Sequence, residues 1–78
     1  MGYTIRRWIT CTDNLFDESM KAGSATEAVA CCKKLAGIFH SVVDEKFISR
    51  INSLQVGETA RVKNRDVKLT IVVRRTKK

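Results

Sequence analysis

Few side chains in this sequence could do covalent chemistry: one histidine, His40, three cysteines, Cys11, Cys31 and Cys32, and eight carboxylates. His40 stands beside Phe39, and no cysteine or serine lies at a spacing that indicates a nucleophile and its base. A surface or capping histidine is expected. The adjacent Cys31 and Cys32 could bridge only with strain, and an odd cysteine count argues against a disulfide framework, so reduced thiols are expected. A zinc site needs four ligands at paired spacing, which Cys31-Cys32 with a distant Cys11 and His40 do not supply. Asp17-Glu18 and Asp44-Glu45 are neighbours in sequence, so within each pair the carboxylates diverge. No catalytic residue, metal or cofactor is expected, and the chain is not read as an enzyme.

The chemistry left is that of attraction. Fifteen Lys and Arg face eight Asp and Glu in 78 residues, a net charge of +7, yet residues 1–60 are formally neutral with seven of each sign. The whole excess follows Ala60: Arg61, Lys63, Arg65, Lys68, Arg74, Arg75, Lys77 and Lys78 against Asp66 alone. Such an asymmetry suits an acidic partner, whether nucleic acid, an acidic protein surface or anionic lipid. For Lys77 and Lys78 by themselves a solubilising tail is the simpler reading.

The elements that would position these charges follow from periodicity. Residues 3–12 alternate as a strand, with Tyr3, Ile5, Ile9 and Cys11 on one face and Thr4, Arg6, Trp8 and Thr10 on the other. Arg7 falls on the apolar face, as a bulge, strand end or edge position would allow. Asp13-Asn14 signals a turn, and Leu15 to Ala22 return as a strand with Phe16, Met20 and Ala22 inward, a face that Glu18 interrupts. Ser24-Ala25-Thr26-Glu27 reads as a capping box, with the Glu27 carboxylate reaching back to the cap. Ala25, Ala28, Val29, Cys32, Leu35 and Ala36 then form one helical stripe that Gly37 ends. A second helix is expected to begin after Ser41 and run to about Leu54, with Val43, Phe47, Ile51 and Leu54 on one face. Thr59 to Lys63, a turn at Lys63-Asn64-Arg65-Asp66, and Val67 to Arg75 make a closing hairpin with Val67, Leu69, Ile71 and Val73 inward.

The order is therefore β-β-α-α-β-β: an α+β fold, one small domain over residues 1–78, with two hairpins in one antiparallel sheet and both helices on one face. The other face would carry Arg6, Trp8, Thr10, Arg61, Lys63, Lys68, Thr70, Val72 and Arg74. A second register, with Trp8 in the core and Arg7 outward, is also compatible with the pattern. Arg6, Trp8, Arg61, Lys63, Arg65, Lys68, Arg74 and Arg75 are the candidate partner-binding residues. Cations attract phosphates or carboxylates, and an exposed indole stacks on a base or anchors a protein contact.

Composition bounds the rest. At 44% apolar and 29% charged residues the chain is too hydrophobic for disorder, and no apolar run approaches the ~20 residues of a bilayer span. Met1 to Trp8 lacks the apolar core of a signal peptide, so a cytoplasmic globule is expected, with no membrane partner. The aromatic pair and Gly-aromatic motif of an RNA-recognition sheet are missing, as is a Gly-x-x-Gly loop between the helices.

The stretch Met20 to Ala28 (MKAGSATEA), a strand running into a Ser-x-x-Glu-Ala helix, resembles segments of short phage-encoded proteins, some anti-CRISPR inhibitors among them. The resemblance implies a non-catalytic protein acting in the host cytoplasm, which binds a bacterial nucleoprotein machine and obstructs nucleic-acid binding or nuclease recruitment. Many such inhibitors are acidic and imitate DNA. A basic one would instead dock on an acidic protein or nucleoprotein surface, or contact its nucleic acid. Direct binding of single-stranded or duplex nucleic acid is the competing expectation, and edge strands leave both a monomer and a dimer open.

Overall fold

Period-two alternation at both ends of the chain builds a four-stranded antiparallel sheet, and the computed structural model describes it over residues 2–11, 14–66 and 68–76. The strands are β1 (Tyr3–Cys11), β2 (Asn14–Ala22), β3 (Thr59–Asn64) and β4 (Leu69–Arg75), and the helices are α1 (Ala25–Ala36) and α2 (Glu45–Asn52). The strand order is β2-β1-β4-β3, so the two hairpins meet along β1 and β4. The expected β-β-α-α-β-β arrangement, with the helices on one side of the sheet, is the one observed.

One core holds the layers together. Ile5, Leu69, Ile71 and Val73 from the sheet meet Ala28, Cys32, Leu35, Phe47 and Ile51 from the helices, all buried. Burying each large aliphatic of this set stabilises the fold by about 1.5–3 kcal/mol. Tyr3 is buried on the same side.

Local chemistry sets the helix limits. The Ser24 hydroxyl accepts from the Glu27 amide at 3.2 Å, and the Glu27 carboxylate accepts from the amide of Gly23, one residue before the cap. Gly37 closes α1 at φ 59° and ψ −124°, a backbone state that a side chain resists. The second helix is shorter than the periodicity suggested. Gly37–Val42 form a 3₁₀ segment, and α2 begins only where the Asp44 carboxylate accepts from the Phe47 amide at 2.9 Å. Side-chain capping at Asp44, which the apolar stripe could not reveal, chooses that start. At the other end, Ser53 and Leu54 close the last turn with bonds to Arg50 and Ile51 carbonyls, so Leu54 is buried although it lies beyond the helix.

The closing hairpin also differs. Lys63 and Asn64 pair in β3 rather than turn, and the connection runs from Arg65 to Lys68. Lys68 has φ 53°, so it is a turn residue and not the first open-face position of β4. The expected inward Val67, the turn residue Asp13, the strand end Thr12 and the tail of Lys77 and Lys78 lie outside the described residues. Among the described residues no helix is long and apolar enough to cross a membrane.

Candidate interface on the open sheet face

Antiparallel register lines up residues of four strands in cross-strand rows, and alternate rows face away from the helices. One such row is Thr59, Arg74, Thr4 and Lys21; the next is Arg61, Val72, Arg6 and Ser19; the third is Lys63, Thr70, Trp8 and Asp17. Arg6, Lys21, Arg61, Lys63 and Arg74 are exposed there, with Asp17 the acidic residue among them. Among the described residues no helix covers this side, because α1 and α2 pack on the rows that carry Ile5, Ile71 and Val73.

Register also decides the position of Trp8. It lies opposite Thr70 of β4, lines a depression of about 380 Å³ with Thr4, Arg6, Thr59, Val72, Arg74 and Thr76, and is half-buried. The core register for Trp8 is thereby ruled out. The Arg6 guanidinium sits 4.7 Å from the centre of the indole and also pairs with Asp17. Arg6 is thus held over an aromatic while paired with a carboxylate, a cation–π contact worth about 0.5–1 kcal/mol at an exposed site.

A second, larger depression of about 540 Å³ lies at the β3–β4 turn, lined by Thr10, Lys63, Asn64, Arg65, Lys68 and Thr70. The turn sets its shape. The Asn64 side-chain oxygen accepts from the Asp66 amide at 2.8 Å, and the Lys68 carbonyl accepts from the Thr10 amide, tying the turn to β1.

Of the eight expected residues, Arg6, Trp8, Arg61, Lys63 and Arg74 share the open strand face, while Arg65 and Lys68 join it from the turn. Arg75 does not. It lies opposite Tyr3 on the helix side, where its guanidinium stands 5.7 Å from the tyrosine ring and donates to the Leu54 carbonyl at 2.6 Å. Its position one residue after Arg74 reverses its face, and its partners are structural. Asp17, Ser19 and Lys21 were absent from the expected surface. The inward placement of Met20 and Ala22 already implied them.

The other reactive groups lie elsewhere. Cys32 is fully buried and its thiol is pushed up to about 12, by burial first and then by Cys31 beside it. His40 is exposed in the 3₁₀ segment. Among the described residues no group of three His, Cys, Asp or Glu could hold a metal ion.

Fold and surface together define a class: a small α+β sheet protein whose helices cover one side and whose other side is basic, with one aromatic among the described residues. No family model matches the chain, and neither a curated protein nor a solved structure does.

Proposed function

We propose that the protein is a non-enzymatic docking module whose open sheet face binds an acidic protein or nucleoprotein surface. The observation that carries this reading is the open face itself: Arg6, Lys21, Arg61, Lys63 and Arg74 share it with Trp8, and the helices pack on the other side. Five cations on one face with a half-buried indole combine long-range attraction with an anchor of the kind that dominates interface energetics. The MKAGSATEA resemblance adds a setting, inhibition of a bacterial CRISPR or nuclease complex in the host cytoplasm by a phage-encoded protein, with which a basic docking face is compatible.

Affinity capture from a bacterial lysate, with and without nuclease, tests the reading when wild type is compared with two variants. Arg61→Glu with Arg74→Glu should lose the captured partner, whereas Lys33→Glu with Lys34→Glu, on exposed positions of α1, should retain it. Equal capture by all three would refute docking through this face.

A further inference from the structure

The depression at the β3–β4 turn differs in kind from the rest of the face. Lys63, Arg65 and Lys68 line it with the hydroxyls of Thr10 and Thr70 and the Asn64 amide, and no carboxylate is among the described lining residues. The Asn64 side-chain oxygen is already engaged by the Asp66 amide, so what its side chain has left to offer is the NH2 donor. Every described side chain lining this hollow can therefore donate to an oxyanion, and three of them carry positive charge. Lys68 holds a left-handed φ of 53°, a conformation that glycine or asparagine adopts more cheaply, which is the kind of local strain that functional positions retain.

The neighbouring depression has the opposite character. Trp8 and Val72 give it an apolar surface, and the Arg6 guanidinium lies over the indole. Trp8 and Thr10 are two residues apart on β1, so the aromatic and the donor-lined hollow are separated by about 7 Å along the strand. A phosphate placed beside a planar apolar group at short range is the repeating pattern of a nucleotide chain, whereas an acidic peptide has no such plane at each charge.

We propose that the turn hollow seats a backbone phosphate of single-stranded nucleic acid, with the adjoining base directed to the Arg6–Trp8 pair. The inference rests on the open face being the docking surface and names the chemistry of what docks there. Lys63, Arg65 and Lys68 neutralise the phosphate, Thr10 and Thr70 hydroxyls and the Asn64 amide bond its oxygens, and Arg61 and Arg74, farther from the turn on the same face, attract the strand where it continues. Recognition of this kind is indifferent to base identity, since stacking and phosphate pairing read no base edge.

Fluorescence anisotropy with a labelled oligothymidylate of about 12 nucleotides, within the span that single-strand-binding sheets cover, is the test. Wild type should bind, and log affinity should fall linearly with log salt. Arg65→Ala with Lys68→Ala should weaken binding at least tenfold and flatten the salt slope by up to about 0.7, the contribution of one phosphate contact to a single strand. Lys33→Glu with Lys34→Glu should change neither by more than the general charge effect. Two outcomes separate the levels of the argument. Binding abolished by Arg61→Glu with Arg74→Glu but untouched by the Arg65 and Lys68 substitutions would overturn the phosphate seat and leave docking through the face standing. A failure of wild type to bind the oligonucleotide at low salt, or equal binding of a polyglutamate of matched charge, would overturn nucleic acid as the ligand.

Discussion

Arg7 and Glu18 stand directly opposite one another on β1 and β2, on the helix side of the sheet, joined by a 3.0 Å ion pair, while a second Arg7 nitrogen donates to the Leu35 carbonyl at 2.9 Å. Each of the two residues breaks the apolar pattern of its own strand, and each compensates the other. Arg7 also supplies positive charge and a donor to the C-terminal end of α1, where carbonyls lack helical partners. The pair thus ties the first hairpin to the first helix.

The two residues are not equal in this arrangement. The Glu18 side chain is 60% exposed and that of Arg7 only 18%. Removing Glu18 should cost less than about 1 kcal/mol, as for other solvent-exposed pairs. Arg7→Ala strands the Leu35 carbonyl as well and should cost about 1–3 kcal/mol. Urea denaturation of Arg7→Ala, Glu18→Ala and the double variant measures this. Equal costs for the single variants would show that the helix contact contributes nothing.

Trp8 supplies a second prediction. Its indole lies on the face away from the helices, so Trp8→Ala should lower stability by about 1 kcal/mol or less, the scale of a cross-strand contact, and should still abolish partner binding. The Arg6 guanidinium lies over the ring and Arg74 lines the same depression, so iodide should quench its fluorescence more strongly than caesium. A large drop in melting temperature with Trp8→Ala, or equal quenching by the two ions, would contradict this placement.

At Lys68 stability and binding should move in opposite directions. Glycine at φ 53° relieves the side chain's conflict with the backbone, so Lys68→Gly should stabilise the fold by up to about 1 kcal/mol and weaken anion binding. Gly37 gives the converse test. A side-chain carbon there would meet nothing within 4 Å, so the cost of Gly37→Ala, about 1–2 kcal/mol, would arise from the backbone alone. Thermal denaturation of both variants reads the two signs.

Cys32 links burial to pH. Its thiol is pushed from 9.0 to about 12 in the fold, so below pH 9 it is neutral in both folded and unfolded chains and has no effect on pH dependence. Between 9 and 12 the unfolded chain releases the proton and the folded one keeps it, and stability falls as pH rises through that window. The decline should be steeper for wild type than for Cys32→Ala in alkaline denaturation. In a Cys11→Ser background, a thiol reagent at neutral pH should modify half-exposed Cys31 and spare Cys32 until the protein unfolds.

Much of this architecture was legible in the order of residues. The α1 stripe of Ala28, Cys32, Leu35 and Ala36 is buried as its spacing indicates, and Gly37 ends the helix. Alternation in β1 and β4 sorts Ile5, Ile71 and Val73 from Arg6, Val72 and Arg74 correctly, because a strand has only two faces. The start of α2 was less legible: Val43 shares the apolar face of Phe47 and Ile51 and is buried with them, although it precedes the cap at Asp44. Arg75 was misplaced for a related reason. Its charge suggested the binding face, while its odd position in β4 sends it to Tyr3 and Leu54.

What the linear chain determined by itself is periodicity and charge: which residues alternate, where a helix is capped, and that the net positive charge follows Ala60. Only the tertiary structure decided which of those charges meet. Pairing of β1 with β4 brings Arg6 and Trp8 beside Val72 and Thr70, though more than sixty residues separate them in sequence. The same pairing carries Thr10 to the β3–β4 turn, where it completes the hollow of Lys63, Arg65 and Lys68. Local propensity acts over a few neighbours, whereas strand register is chosen by burying the whole inner face at once, and a slip of one residue would turn every one of these side chains to the other side.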